Sequence, residues 1–205
     1  MELVAIDLEG SGAQDRDHEA ILEIALVPIV DWQPDMTAAY CTLINPQRSI
    51  PPRPWISPGL TDEALRQAPT IATAEPELAR RINGKYLVGH NVSVDWRLLR
   101  RRCPSVTPAG LLDTFRLARV AGAAGGRGLS RLIDHFRLTE TVNDLAGGSM
   151  PHRALWDAVA AAMLLLALAP PSADTTPNIQ LLMRDSEVMA FTVKPEPVPP
   201  ATLFD

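Results

Sequence analysis

Met1-Glu2-Leu3-Val4-Ala5-Ile6-Asp7-Leu8-Glu9-Gly10-Ser11-Gly12 opens the chain. Its apolar residues suit a buried strand, and Gly10, Ser11 and Gly12 supply a turn, so the strand ends at its acids. Side chains at i and i+2 of a strand share a face, which aims Asp7 and Glu9 into one small volume. Two carboxylates placed together repel. A hard divalent cation removes that repulsion, and Mg²⁺ characteristically takes one or two carboxylates and leaves its other positions to water and substrate phosphate. Taken alone, an Asp-x-Glu at a strand end is equally well explained by a solvated edge with Glu9 in water; the rest of the chain has to decide.

A second segment supplies another acid. Tyr86, Leu87 and Val88 form a short apolar run, Gly89-His90-Asn91 breaks it, and residues 94–102 have helical spacing with Val94, Leu98 and Leu99 on one side. Asp95 falls in the first turn, where the positive end of a helix favours an acid by roughly 0.3–1 kcal/mol. A third segment is more specific. Pro151-His152-Arg153 leads into residues 154–168, a run of Ala, Leu, Val and Met whose one acid is Asp157. A lone carboxylate in so apolar a stretch is costly unless paired or metal-bound. His152 lies on the turn entering that helix, and a neutral imidazole there is able to take a proton beside a metal.

Around these segments the pattern is α/β: strands at 3–8, 21–30, 38–44, 86–88 and 111–112, and helices at 71–82, 94–102, 114–121, 129–136 and 154–168. The glycine-rich stretch 121–128 reads as a loop beside the substrate groove. With 205 residues, 46% of them hydrophobic, the chain buries one substantial core. The apolar stretch 158–169 is shorter than the roughly 20 residues of a membrane helix, and Met1 starts no signal peptide, so a cytoplasmic protein with no membrane partner is expected. Two cysteines, Cys41 and Cys103, without metal-ligand spacing fit the same reducing compartment. A net charge of -5 argues against coating nucleic acid by bulk electrostatics. Local arginines (Arg97, Arg100, Arg101 and Arg102, then Arg116, Arg119, Arg127 and Arg131) still offer a basic surface. After Ala169 the prolines multiply, which divides the chain into a domain at 1–169 and a Pro-rich tail at 170–205, extended apart from a small helix or hairpin at 178–193.

Taken together, these segments resemble the DEDDh, or DnaQ-like, 3′-to-5′ exonucleases, the family of the proofreading epsilon subunit of bacterial DNA polymerase III. Beyond Asp7, Glu9, Asp95, His152 and Asp157, the family's signposts occur in order. They are Ile21-Leu22-Glu23-Ile24-Ala25, Ile44-Asn45-Pro46, Leu60-Thr61-Asp62-Glu63, Leu87-Val88-Gly89-His90-Asn91, Asp113-Thr114 with Leu117-Ala118-Arg119, and His152-Arg153-Ala154-Leu155. The resemblance implies a ribonuclease-H-like fold, a five-stranded mixed sheet flanked by helices. It implies two Mg²⁺ or Mn²⁺ ions, with Asp7 bridging them, Glu9 and Asp157 completing the shell of the first, and Asp95 supporting the site directly or through water. His152 is then the general base, and Leu8, Gly10, Ser11, Ala13, Asn91 and Val94 touch the substrate.

The implied activity is release of mononucleotides from the 3′ end of single-stranded or frayed DNA, in proofreading or repair. An RNA-trimming exonuclease, such as an oligoribonuclease or an RNase T-like enzyme, and a catalytically silent module of a replication assembly are the competing readings. The tail's Ser186-Glu187-Val188-Met189-Ala190-Phe191 resembles a sliding-clamp-binding segment, so a clamp or a DNA polymerase is the partner implied. Some positions depart from the family. Leu8 and Gly10 stand where Thr is usual, Ile56-Ser57-Pro58-Gly59-Leu60-Thr61 replaces a shorter His-containing stretch, and Val94 replaces a Phe. These differences bear on substrate preference more than on activity.

Overall fold

Strand β1 (Leu3–Gly10) is the central strand. It pairs antiparallel with β2 (Ile21–Val30) and parallel with β5 (Tyr86–Gly89), and β5 in turn pairs parallel with β6 (Gly110–Asp113). β3 (Gln33–Pro34) and β4 (Tyr40–Leu43) both pair antiparallel with β2, giving a six-stranded mixed sheet of order β3-β2-β1-β5-β6 with β4 also on β2. The computed structural model describes residues 1–12, 18–123 and 128–168. Ala13, Arg127, most of the second half of the 121–128 loop and the whole 170–205 tail, with its 178–193 and clamp-like stretches, lie outside the described residues.

The sheet has one strand more than the five expected. The extra strand is β3, two residues long, which follows a hairpin turn at Asp31 and Trp32, both at positive φ (47° and 59°). Two left-handed residues between antiparallel strands match strand twist, but Asp-Trp carries none of the glycine that usually announces such a turn. Helices α2 (Ile71–Ile82) and α7 (Ala154–Leu168) have the expected limits, and α3 (Ser93–Arg102), α4 (Thr114–Val120) and α5 (Leu129–His135) lie within a residue of theirs. Two short helices have no counterpart in the sequence reading: α1 (Asp62–Arg66), capped by Thr61 Oγ1 accepting from Ala64 N, and α6 (Thr139–Leu145).

Strand alternation sorts the core onto two faces. Leu3 and Ala5 of β1, with Ala25 and Val27 of β2, pack against α7, α4, α5 and α6. Val4 and Ile6, with Ile24 and Leu26, pack against α2 and α3. Helix α7 is buried on almost every side. Its alanines 158, 160, 161 and 162 let it lie close against the sheet, while Trp156 Nε1 donates to Asn143 Oδ1 at 2.8 Å from α6. Asp7 and Glu9 continue the Leu3 and Ala5 face, so they point toward α7. Cys41 and Cys103 are free thiols, and among the described residues no helix is long and apolar enough to cross a membrane.

Candidate active site

Asp7, Glu9 and Asp157 converge where the end of β1 meets the first turn of α7. A carboxylate oxygen from each lies within 4.8 Å of those of the other two, and each residue is half-buried. Asp95, buried in the first turn of α3, accepts the Leu8 N–H on Oδ1 at 3.0 Å, which ties that helix to the strand between the two β1 acids. It is held by the backbone and stands just outside the three-carboxylate group. Glu9 Oε2 accepts the Ser57 hydroxyl at 2.8 Å, and Asp157 Oδ1 accepts the His152 N–H at 3.4 Å.

These acids share one negative field, offset only in part by Arg153 and His152. Burial, with Asp95, Asp157, Glu9 and Glu23 near, holds Asp7 well above the usual carboxylate range. Burial pushes Glu9 up to about 7 against the opposing Ser57 hydrogen bond, and Asp95 to about 7 despite the Leu8 N–H it accepts. Asp157 is raised to about 6 by burial, opposed by the His152 N–H and the charge of its ring. Protons held on clustered carboxylates near neutrality are what a divalent cation displaces when it binds. A donor set made of carboxylate oxygens, with no sulfur or imidazole nitrogen, suits Mg²⁺ or Mn²⁺.

Both turns that deliver site residues are left-handed at a non-glycine residue. Asn91, φ 63°, precedes α3, and His152, φ 67°, precedes α7. The Asn91 turn is secured by Asp113, whose Oδ1 accepts both the Asn91 and the Phe115 N–H at 2.9 Å. His152 is exposed on the rim, close enough for its charge to be felt by Asp157.

Several expected substrate contacts have structural duties. Leu8 gives its N–H to Asp95, Ser11 Oγ accepts from Ala20 N at 2.9 Å, and Gly10 lies where an added Cβ would come within 3.3 Å of Leu98. Asn91 is exposed just ahead of α3, Val94 is exposed in its first turn, and Ala13 is outside the described residues. Two of the α3 arginines hold the chain after the first turn: Arg102 Nε donates to Glu19 O at 2.8 Å and Arg97 pairs with the Glu19 carboxylate at 3.6 Å. The sequence reading missed three neighbours of the acids, namely Ser57, Glu23 and Arg153 as partner of Glu23. Glu23 carries the signal that found Asp157, a single acid in an apolar stretch; Ser57 carries none, because a loop brings it in.

A mixed sheet flanked by helices, with acids gathered at the end of its central strand, is the ribonuclease-H-like arrangement seen in nucleases. The chain belongs to the RNase T exonuclease family, whose model matches residues 4–165. It is 33% identical over 174 residues to a DNA polymerase III subunit epsilon-like protein of Rhodobacter capsulatus, covering 83% of this chain and 24% of that protein. It is 35% identical over 176 residues to a putative bifunctional exonuclease/endonuclease protein of Mycobacterium tuberculosis, covering 80% and 26%. The chain thus spans about a quarter of the length of these two relatives. Among solved structures, Exonuclease X in complex with 5′ overhanging duplex DNA superposes with a TM-score of 0.61 at 26% identity, covering 86% of this chain and 98% of that one.

Proposed function

We propose that this chain is a Mg²⁺- or Mn²⁺-dependent exonuclease that removes nucleotides one at a time from the 3′ end of single-stranded or frayed DNA. The observation that carries the reading is the meeting of Asp7, Glu9 and Asp157, from opposite ends of the domain, at distances a single cation spans. Membership of the exonuclease family supports it, as does the DNA held by the similar solved structure. Asp7, Glu9 and Asp157 would hold one ion, and Asp7 with Asp95, directly or through water, a second. Bound there, the ions supply positive charge to the attacking and leaving oxygens of an in-line displacement.

The chain's own residues do the rest. His152, as the free imidazole, accepts the proton of the water that attacks the terminal phosphodiester. Its place on the exposed turn leaves it reachable by water. Ser57 orients Glu9 through its hydroxyl, and Leu8 fixes Asp95 through its N–H. Residues 1–169 constitute the exonuclease domain in this reading, and 170–205 form a segment for partnership with a DNA polymerase or a sliding clamp.

The test uses 5′-labelled single-stranded DNA and RNA oligonucleotides of matched sequence, with Mg²⁺, with Mn²⁺ and in EDTA. The expected result is a ladder of labelled products shortened stepwise from the 3′ end, faster on DNA, and absent in EDTA. Immediate release of the labelled 5′ nucleotide would reverse the polarity, and faster digestion of RNA would reassign the substrate. No product with either metal would leave a binding module.

A further inference from the structure

Glu23 is buried, 3% exposed, on a face already crowded with acids. In the β1–β2 ladder it lies directly opposite Glu9, and like charges so placed on one face destabilise a sheet. Its negative charge is also felt by Asp7, Glu9 and Asp157. A buried acid in that position is tolerated only with strong partners, and two residues supply three hydrogen bonds, beside a weaker one from the Cys41 thiol at 3.8 Å. Arg153 Nη2 and Nε donate to its two oxygens at 2.6 and 2.8 Å, and the Ala154 N–H donates to Oε2 at 3.1 Å.

Ala154 is the first residue of α7, and the first N–H groups of a helix have no partner within it. Glu23 therefore caps α7 from another element, at the turn that carries Asp157. Arg153 also reaches the loop on the other side of the site. Its Nη1 donates to Pro58 O at 3.4 Å, next to Ser57, whose hydroxyl holds Glu9. Gly59 gives that guanidinium room, since a Cβ there would stand 3.3 Å from Nη1.

We propose that Glu23 and Arg153 are positioning residues: their forked ion pair pins the first turn of α7 to β2 and the Ser57 loop to α7, so that Asp157 meets Asp7 and Glu9 at the spacing a divalent cation requires. The inference rests on the metal-site reading above and extends it to groups that touch neither substrate nor ion. Loss of an outer hydrogen-bonding partner of a metal ligand characteristically costs ~10–100-fold in affinity or activity. A bidentate guanidinium is not replaced by a lysine, which keeps the charge but loses the fork.

The experiment compares the full chain with Glu23→Gln, Arg153→Lys and the double variant Glu23→Leu/Arg153→Met. Three quantities are measured: kcat and KM on a single-stranded DNA oligonucleotide, Mn²⁺ affinity by calorimetry without DNA, and melting temperature in EDTA. Both single variants are expected to lose ~10–100-fold in kcat with KM changed less than about twofold, and to bind Mn²⁺ correspondingly more weakly. The double variant replaces the ion pair by apolar groups, which is often neutral or stabilising. It should melt no lower than the parent in EDTA yet remain slow and bind Mn²⁺ weakly. Parental kcat and Mn²⁺ affinity in the double variant, or in Arg153→Lys, would overturn the proposal and leave the pair a packing feature. An inactive parent would sink the exonuclease reading alone, because Mn²⁺ affinity still reads the positioning.

Discussion

Asp7 and Glu9 owe their shared direction to strand period, and Asp157 joins them because one turn of α7 reaches over the end of β1. Each is a polar group in a partly buried site, so its removal relieves repulsion in the metal-free protein while deleting a proposed metal ligand. Asp7→Ala, Glu9→Ala and Asp157→Ala are each expected to lower the single-turnover rate at saturating Mg²⁺ by ~10³-fold or more, since a bound ion contributes several kcal/mol. None should lower the melting temperature in EDTA at pH 8, and retained nuclease activity in any of them would remove that residue from the site. His152 is exposed, so its loss leaves the core untouched. His152→Ala should lose roughly 10²–10⁴-fold in single-turnover rate, the usual worth of a positioned base, with Mn²⁺ binding retained. An unchanged rate would exclude it as the proton acceptor.

At the scale of elements, the site is where a strand end and two helix starts coincide, and each helix start is prepared by a strained turn. Asp113 secures one of them, because its single oxygen caps α4 at Phe115 and also holds the Asn91 turn ahead of α3. Asp113 is 2% exposed, so its loss leaves a gap in the packing and takes the acceptor from two part-buried N–H groups. Asp113→Ala is therefore expected to cost about 1–3 kcal/mol in urea unfolding. A change under a few tenths of a kcal/mol would mean that water replaces the cap. Elements with a long signal, periodic in α2 and a continuous apolar run in α7 and β2, stand where their sequences put them. Those without one, β3, α1 and α6, depend on local turn and cap geometry over a few residues, which hydrophobic period does not report.

Across the whole molecule, the buried acids couple folding to pH and, in the proposed function, to metal. Glu9 and Asp95 stand at about 7 and Asp157 at about 6, all above the carboxylate values of an unfolded chain near 4. The folded protein therefore holds these protons more tightly than the unfolded one. That contribution is fully present below about pH 4 and is lost as pH rises through about 6 to 7. In EDTA the protein should therefore lose stability between pH 5 and pH 8 as these groups ionise, and Mg²⁺ at pH 8 should restore it. A Mg²⁺ effect equally large in Asp157→Ala would place the ion elsewhere. The acids and His152 all precede Leu168, the last residue of α7, so a chain ending near Pro171 should digest short oligonucleotides at the parental rate. If 170–205 serves a clamp, Met189→Ala/Phe191→Ala should weaken capture by an immobilised clamp while leaving the rate on free DNA unchanged. A truncated chain that fails to fold would show that the tail belongs to the core.

What the sequence by itself determined was everything carried by short-range period and composition. That includes the strand that aims Asp7 and Glu9 together, the α/β order of elements, and the lone acid Asp157 in an apolar helix. These follow from repeats of 2.0 and 3.6 residues and, for Asp157, from apolar composition, all of which act within one element and need no partner to be read. The tertiary structure alone decided which distant groups meet: Asp95 on the Leu8 N–H, Ser57 on Glu9, and Glu23 capping α7 while Arg153 neutralises it. Hydrogen bonds and ion pairs act over about 3 Å, so they exist only once sheet and helix packing has brought together residues as far apart in sequence as 23 and 153.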